Sequence, residues 1–210
     1  MKLFLAKNTV SIAVAIALEE AGLAYTPEVL DFGAGAQTKP EYLAINPKGR
    51  VPTLVTDRGA LTETGAILDY IAALAPAAGL IPKDAFEAAR MREVMYYIAS
   101  TLHVNHAHKM RGHRWADLET SFADMRAKVP QTMQAACVYL ETEVLRGPFG
   151  LEGPFVLGAR VTLADAYLYV ATTWLAGDGV RVADFPKLEG FMAAMEARAS
   201  VQAVRARGWL

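Results

Sequence analysis

The first 30 residues alternate between strand and helix patterns, and this alternation constrains the fold more than any other feature of the chain. Residues 2–6 predict a short apolar strand, residues 11–21 a helix and residues 25–30 a second strand. Ser11 is a candidate N-cap for this helix, and Gly22 lies where glycine commonly ends one. Strand, helix and strand within about 30 residues have the size of a βαβ unit.

The mixed pattern continues to residue 74 and then changes. A short helix is predicted over Pro40–Ala44, a hairpin with strands near 53–56 and 60–61, and a helix over 63–74. Residues beyond these carry only helical patterns. We predict an α/β domain over 1–75, a proline- and glycine-rich linker over 76–84 and an all-helical domain over 85–210, with helices near 85–110, 118–145, 163–176 and 186–205.

Composition narrows the classes of function. Apolar residues make up 53% of the chain, which excludes a disordered protein, and a net charge of −1 gives no basic field for nucleic acid. No apolar run approaches the roughly 18 residues typical of a membrane span. The single cysteine, Cys137, fits the reducing cytoplasm and excludes a disulfide within the chain. Lys2 and Lys7 before the apolar residues 10–18 are also typical of a signal peptide, but a helix continuing to Gly22 favours a folded segment.

Two segments carry the strongest family signal: Ala44-Ile-Asn-Pro-Lys-Gly-Arg-Val-Pro-Thr-Leu54 and Leu61-Thr-Glu-Thr-Gly-Ala-Ile-Leu68. With residues 16–23 and 162–165, they resemble the glutathione S-transferase family over essentially the whole chain, in its cytosolic, bacterial beta-like form. The resemblance implies a thioredoxin-like N-terminal domain with a mixed sheet and an all-α helical bundle. It also implies a homodimer that uses glutathione as co-substrate and needs no metal.

Val51 and Pro52 are the first pair of binding residues that the resemblance implies. In the family, a cis peptide bond precedes this proline, and the backbone of the residue before it pairs with glutathione as an added strand. The alternative is that Pro52 simply begins an edge strand, where proline is tolerated. Arg50 is a candidate partner for the glycine carboxylate of glutathione, or a solvated surface arginine.

Glu63 and Thr64 stand at the start of a predicted helix, where unpaired N–H groups favour a carboxylate. By the resemblance, Thr64 donates to the γ-glutamyl carboxylate of glutathione and Glu63 accepts from its ammonium group. Ordinary helix chemistry is the alternative, with Thr62 as cap and Glu63 favoured by the helix dipole.

The catalytic donor is where the sequence departs from the beta-class pattern. Leu5 and Val10 occupy the positions of the class's tyrosine and cysteine, while Ser11 is retained. A hydrogen-bond donor near the first strand stabilises the glutathione thiolate in the family. Asn8, Thr9 and Ser11 remain as candidates, of which we favour Thr9 or Ser11 as the catalytic residue; Ser11 as a helix cap is the alternative.

All four histidines lie between residues 103 and 113. Zinc binding by His103 and His106, a solvated basic helix end, and a place in the acceptor site are three open interpretations. His103 matches a beta-class active-site histidine, and we take it as a substrate-binding residue that, with neighbouring basic residues, favours anionic or electron-rich acceptors.

The predicted function is therefore conjugation of the glutathione thiolate to a small electrophile, as in detoxification. Glutathione-dependent reduction of disulfides or peroxides, and non-catalytic ligand binding, are the alternatives. Two further motifs are structural: Thr162 and Asp165 predict a capping box, and Cys137 lies on an apolar helical stripe that predicts burial.

Overall fold

The computed structural model describes residues 1–146 and 153–210. The chain divides into two compact units, one made of Met1–Pro82 with Glu196–Leu210 and the other of Lys83–Met195. The sequence pattern assigns residues 196–210 to the helical domain, but in the structure they pack with residues 1–82. The predicted helical domain also contains residues 147–152, which lie outside the described residues.

A mixed sheet forms the centre of the first unit, as predicted. Its strands are β1 (Lys2–Leu5), β2 (Thr26–Val29), β3 (Thr53–Thr56) and β4 (Gly59–Thr62), in the order β2-β1-β3-β4. β1 is parallel to β2 and antiparallel to β3, and β3 is antiparallel to β4. The βαβ unit and the hairpin predicted from the sequence are both present.

The α-helices of the described residues are α1 (Ser11–Glu20), α2 (Pro40–Leu43), α3 (Thr64–Leu74), α4 (Ala85–Tyr97), α5 (His103–Ala107), α6 (Glu119–Tyr139), α7 (Leu163–Thr172), α8 (Pro186–Glu196) and α9 (Ala199–Ala206). Helix α1 is the core of the first unit, since residues 11–18 are all buried. It contacts β1, α3 and α9. A helix that is apolar on every side requires this complete burial.

The register of the sheet brings three loops to one end. Phe4 of β1 lies opposite Thr53 of β3, and Thr53 lies opposite Thr62 of β4. The loop after β1, the residues before β3 and the residues after β4 therefore emerge side by side, because neighbouring strands are only about 4.8 Å apart. These are the loops that contain Thr9, Val51 and Glu63.

The helices of the second unit are less continuous than their patterns suggest. A π-helical segment, Ile98–Leu102, separates α4 from α5, and another, Leu140–Val144, follows α6. The predicted helix over 186–205 is wrong as a single element, because it is divided between α8 and α9. Helical periodicity does not reveal such breaks, since the apolar stripe continues through them. No helix in the described residues is both long enough and apolar enough to cross a membrane.

The predicted capping box at the start of α7 is confirmed. Asp165 Oδ2 accepts hydrogen bonds from the Thr162 backbone N–H at 2.7 Å and from its hydroxyl at 2.8 Å. Oδ1 accepts from the Val156 N–H at 2.7 Å. Asp165 is completely buried, and this burial raises its pKa to about 6 although the hydrogen bonds lower it. The motif thus ties the residues before α7 to its first turn.

Candidate functional site

The segment before β3 is held by two buried polar residues. The Tyr42 hydroxyl donates to the Arg50 carbonyl oxygen at 2.6 Å, and Asn46 Nδ2 donates to the same oxygen at 2.7 Å. Both side chains also hydrogen-bond to Thr53 Oγ1, at 2.8 Å and 2.9 Å. These bonds position the backbone around Val51, whose peptide bond to Pro52 is cis, as the resemblance implied.

Gly49 explains the glycine in this motif. Its φ of +60° lies in the left-handed region, which glycine enters without steric cost, and a Cβ there would lie 3.1 Å from the Gln37 carbonyl oxygen. The chain turns at this point, so that Arg50 is exposed and Val51 is half-buried beside it. The Val51 backbone and the Arg50 side chain are thereby available at the end of the sheet.

Glu63 connects β4 to α3 in an uncommon backbone conformation. Its φ is +70° and its ψ is 120°, values that non-glycine residues rarely adopt and that cluster at binding sites. The helix N-cap is Glu63, so the alternative prediction of Thr62 as the cap is wrong. Thr64 begins the helix and is 6% exposed.

Lys48 supplies a partner for Glu63 that the sequence did not indicate. Its ammonium group contacts Glu63 Oε1 and donates to Thr62 Oγ1 at 2.6 Å. Both charged side chains are exposed, 42% for Lys48 and 72% for Glu63. The contact shows that the Glu63 carboxylate is placed to accept a hydrogen bond from an ammonium group.

Thr9 and Ser11 form a small hydroxyl network after β1. Ser11 Oγ accepts from the Ala6 N–H at 3.1 Å and lies 2.6 Å from Thr9 Oγ1. The Thr9 hydroxyl donates to the Ala6 carbonyl oxygen at 2.8 Å. Ser11 is fully buried whereas Thr9 is half-buried, so Thr9 is the more accessible hydroxyl.

The prediction of Ser11 as the N-cap of α1 is wrong. Val10 occupies the N-cap position, and Ser11 is the first residue of the helix. Its hydroxyl reaches back to Ala6 instead of to the first turn of α1, and so closes the loop between strand and helix. Sequence spacing does not distinguish these two uses of a serine, since both place it at the start of a helix.

The histidine segment lies in the second unit. His103 begins α5, and its ring centroid lies 5.1 Å from that of Trp174. His106 stacks on the same ring at 4.3 Å, and its Nδ1 is 2.7 Å from Asp178 Oδ2. Asp178 is almost completely buried, so it fixes the orientation of the imidazole.

Lys109 contacts the same carboxylate, that of Asp178. Its ammonium group lies 3.3 Å from Asp178 Oδ1 and contacts the Gly177 carbonyl oxygen. Sequence reasoning found no acidic residue near the histidines because Asp178 lies 72 positions after His106. Within residues 1–146 and 153–210, no three His, Cys, Asp or Glu side chains are grouped as a metal site would require.

Comparisons with known proteins identify the family. Residues 1–73 match the family model "Glutathione S-transferase, N-terminal domain". Glutathione S-transferase GST-4.5 of Xanthomonas campestris is 32% identical, over 97% of this chain and 96% of that protein. Glutathione S-transferase GstA of Escherichia coli O157:H7 is 30% identical, over 96% of each.

A solved structure extends the likeness to the whole fold. A glutathione transferase homologue from Sulfitobacter, crystallised with bound glutathione, is 56% identical and superposes with a TM-score of 0.95. The match covers 100% of this chain and 98% of that one. This chain therefore belongs to the glutathione S-transferase family.

Proposed function

We propose that the unit of residues 1–82 and 196–210 binds glutathione and activates its thiol for transfer to a small electrophile. The observation that carries the proposal is the sheet register, which places the Thr9, Val51 and Glu63 loops side by side. The Sulfitobacter relative, at 56% identity, was solved with glutathione bound and supports the choice of ligand.

Each end of glutathione has a matching group at this end of the sheet. Its extended backbone pairs with the Val51 main chain beside Pro52, as an added strand does. Its γ-glutamyl carboxylate lies at the N-terminus of α3 near Thr64, and its ammonium group replaces that of Lys48 on Glu63. Arg50, which is exposed, pairs with the glycine carboxylate.

Thr9 is the proposed donor to the sulfur. Its hydroxyl is more accessible than that of Ser11, and on glutathione binding its proton turns from the Ala6 carbonyl oxygen to the sulfur. The buried Ser11 hydroxyl then donates to the Thr9 oxygen and orients it. The thiol proton leaves to solvent, and the thiolate stabilised by Thr9 attacks an electrophilic carbon. A carbon–sulfur bond forms, and the leaving group departs with its bonding electrons.

The electrophilic acceptor is proposed to contact the second unit. The family resemblance supports His103 as the residue that binds it. Its ring lies against Trp174, and the neighbouring His106 is oriented by Asp178. An anionic or electron-rich acceptor remains the proposal, tested by comparing neutral and carboxylated acceptors in the wild type and in His103→Ala. Equal ratios of activity in the two proteins would contradict it.

A homodimer in the cytoplasm completes the proposal. Family resemblance supports both, and the single cysteine is consistent with a reducing compartment. Light scattering coupled to size-exclusion chromatography checks the dimer, and a mass close to the 22.7 kDa of one chain would contradict it.

Titration calorimetry with reduced glutathione tests the function first, followed by conjugation of a chlorinated dinitrobenzene. We expect saturable heat, a rise in melting temperature and chloride release. No heat at millimolar glutathione would overturn the proposal.

Binding without conjugation would favour the second candidate, a non-catalytic glutathione-binding protein. The hydrogen bonds that already engage both loop hydroxyls also support this candidate. Disulfide reduction through a protein thiol is disfavoured because Cys137 is buried.

A further inference from the structure

The last residues of the chain contact the loop that carries Thr9. The Asn8 backbone N–H donates to the Trp209 carbonyl oxygen at 2.9 Å. Gly208, with a φ of +66°, turns the chain after α9, and a Cβ on it would lie 4.0 Å from Lys7 Nζ. We call residues 207–210 the C-terminal turn. It lies against Lys7 and Asn8, next to the proposed donor.

The C-terminal turn is itself firmly held. Trp209 is only 5% exposed, and its N–H donates to the Val204 carbonyl oxygen at 3.2 Å. The Arg207 guanidinium lies over the Trp209 ring, 5.0 Å from its centroid. The same guanidinium donates to Glu19 Oε1 at 2.7 Å and to the Tyr25 hydroxyl at 2.6 Å. The Trp209 carbonyl is thus a fixed acceptor, anchored to the end of α1.

Asn8, which donates to this acceptor, has an uncommon backbone conformation. Its φ is +55°, in the left-handed region that few residues other than glycine enter, although asparagine tolerates it best. The backbone angles of Asn8 set the direction in which the chain enters Thr9. On the other side of Thr9, the Ser11 hydroxyl holds the loop to Ala6. Thr9 therefore lies between two hydrogen-bonded residues, Ser11, which bonds to Ala6, and Asn8, which donates to the C-terminal turn.

We propose that Trp209 is a positioning residue for the glutathione thiol. Its carbonyl holds Asn8 in the left-handed conformation, and this conformation keeps the Thr9 hydroxyl where the sulfur binds. The inference rests on the proposed function, in which Thr9 stabilises the thiolate. Small displacements of a catalytic group cause large losses of rate, so release of the turn lowers thiol activation more than glutathione binding.

Ionisation of bound glutathione tests this directly, through its thiolate absorbance as a function of pH. In Trp209→Ala we expect the pH at which the bound thiol is half ionised to rise by about one unit. At any pH below that midpoint, this shift means about tenfold less thiolate. The dissociation constant for glutathione, measured by calorimetry, stays within about threefold of wild type, since Val51, Glu63 and Thr64 are untouched. Trp209→Phe, which keeps a buried ring over the turn, restores the midpoint.

Arg198→Ala is the matched control. Arg198 ties α9 to Glu20, the last residue of α1, with Nη2 and Oε2 2.7 Å apart. We expect it to lower the melting temperature without moving the midpoint. An equal midpoint in wild type and Trp209→Ala, or an equal shift in Arg198→Ala, would overturn the positioning role. Should Trp209→Ala fail to fold by circular dichroism, Arg207→Ala replaces it with the same expectation.

Failure of the two proposals can be told apart. A wild type that gives no heat with glutathione overturns the proposed function, and the positioning role with it. Suppose instead that the wild type binds glutathione and lowers the pH at which its thiol is half ionised. If Trp209→Ala lowers that pH equally, only the positioning role is overturned.

Discussion

The ammonium group of Lys48 contacts the carboxylate of Glu63, the residue that joins β4 to α3. Both side chains are well exposed, so the ion pair adds little to stability. However, the Lys48 ammonium group occupies the Glu63 carboxylate, which in the proposed function binds the ammonium group of glutathione. In that proposal, glutathione binding exchanges one ammonium group for another on Glu63 at little cost in stability.

Replacing Glu63 with glutamine tests this exchange. Glu63→Gln keeps the size of the side chain and removes its charge, and we expect glutathione to bind at least about tenfold more weakly, as for the loss of a charge-assisted hydrogen bond. Titration calorimetry measures the change. Lys48→Ala is the control, because it removes the competing cation and leaves the Glu63 carboxylate in place. A weakening as large as that in Glu63→Gln would contradict the assignment.

The two hydroxyls after β1 have separable effects. Ser11→Ala leaves the buried Ala6 N–H without its acceptor, and we expect a loss of about 1–3 kcal/mol in the free energy of unfolding. Thr9→Ala is milder for stability, since Thr9 is half-buried, but lowers the conjugation rate about tenfold or more. Urea denaturation and steady-state kinetics measure the two quantities. Thr9→Ser keeps the hydroxyl and the rate; an inactive Thr9→Ser would argue against a hydroxyl donor.

The capping box contributes to the stability of the second unit. Thr162→Ala removes the hydroxyl that bonds Asp165 Oδ2, and we expect a cost of about 1 kcal/mol or more. Denaturant unfolding measures it, with Thr162→Ser as the variant that keeps the hydrogen bond. Equal losses in both variants would show that the methyl group, and not the cap, is responsible.

Asp165 makes stability depend on pH. Burial raises its pKa from 3.8 to about 6, so the native state holds a proton that the unfolded chain has already released. The stabilisation is complete below pH 4 and is lost as pH rises through 6, on the order of 1 kcal/mol per pH unit between them. The difference in unfolding free energy between wild type and Asp165→Asn therefore falls from pH 4 to pH 7. A difference that is constant or rising over that range would contradict it.

Cys137 is predicted to be unreactive in the native protein. It is fully buried on α6, and burial raises the pKa of its thiol to about 12, so almost no thiolate exists at neutral pH. A thiol reagent in excess should label it only as fast as the protein unfolds, and at once in denaturant. Rapid labelling in native buffer would contradict the prediction.

Local motifs account for what could be predicted. The capping box lies within the four residues 162–165, and the βαβ unit depends on patterns of apolar residues in a single stretch of chain. The loop that begins at Ala44 contains Gly49 and Pro52, and the conformational freedom of glycine and the restriction of proline are intrinsic to those residues. Such features depend on neighbours in sequence and can be identified without any fold.

The partners of the site residues could not be predicted in the same way. Asn46 and Tyr42 both donate hydrogen bonds to the Arg50 carbonyl oxygen. Because asparagine and tyrosine are also common on protein surfaces, their sequence positions do not indicate this buried role. Lys48 meets Glu63 only because β3 and β4 pair in a particular register. A sequence lists these side chains without showing which of them will be buried together.

The sequence by itself determined the family, the mixed sheet, the main helices and the candidate residues at the ends of three strands. Tertiary structure alone decided that Ser11 is buried while Thr9 is accessible, that Asp178 orients His106, and that Trp209 holds Asn8. The reason is physical: propensities and caps act over a few residues, whereas burial and long-range hydrogen bonds exist only once distant segments have packed together.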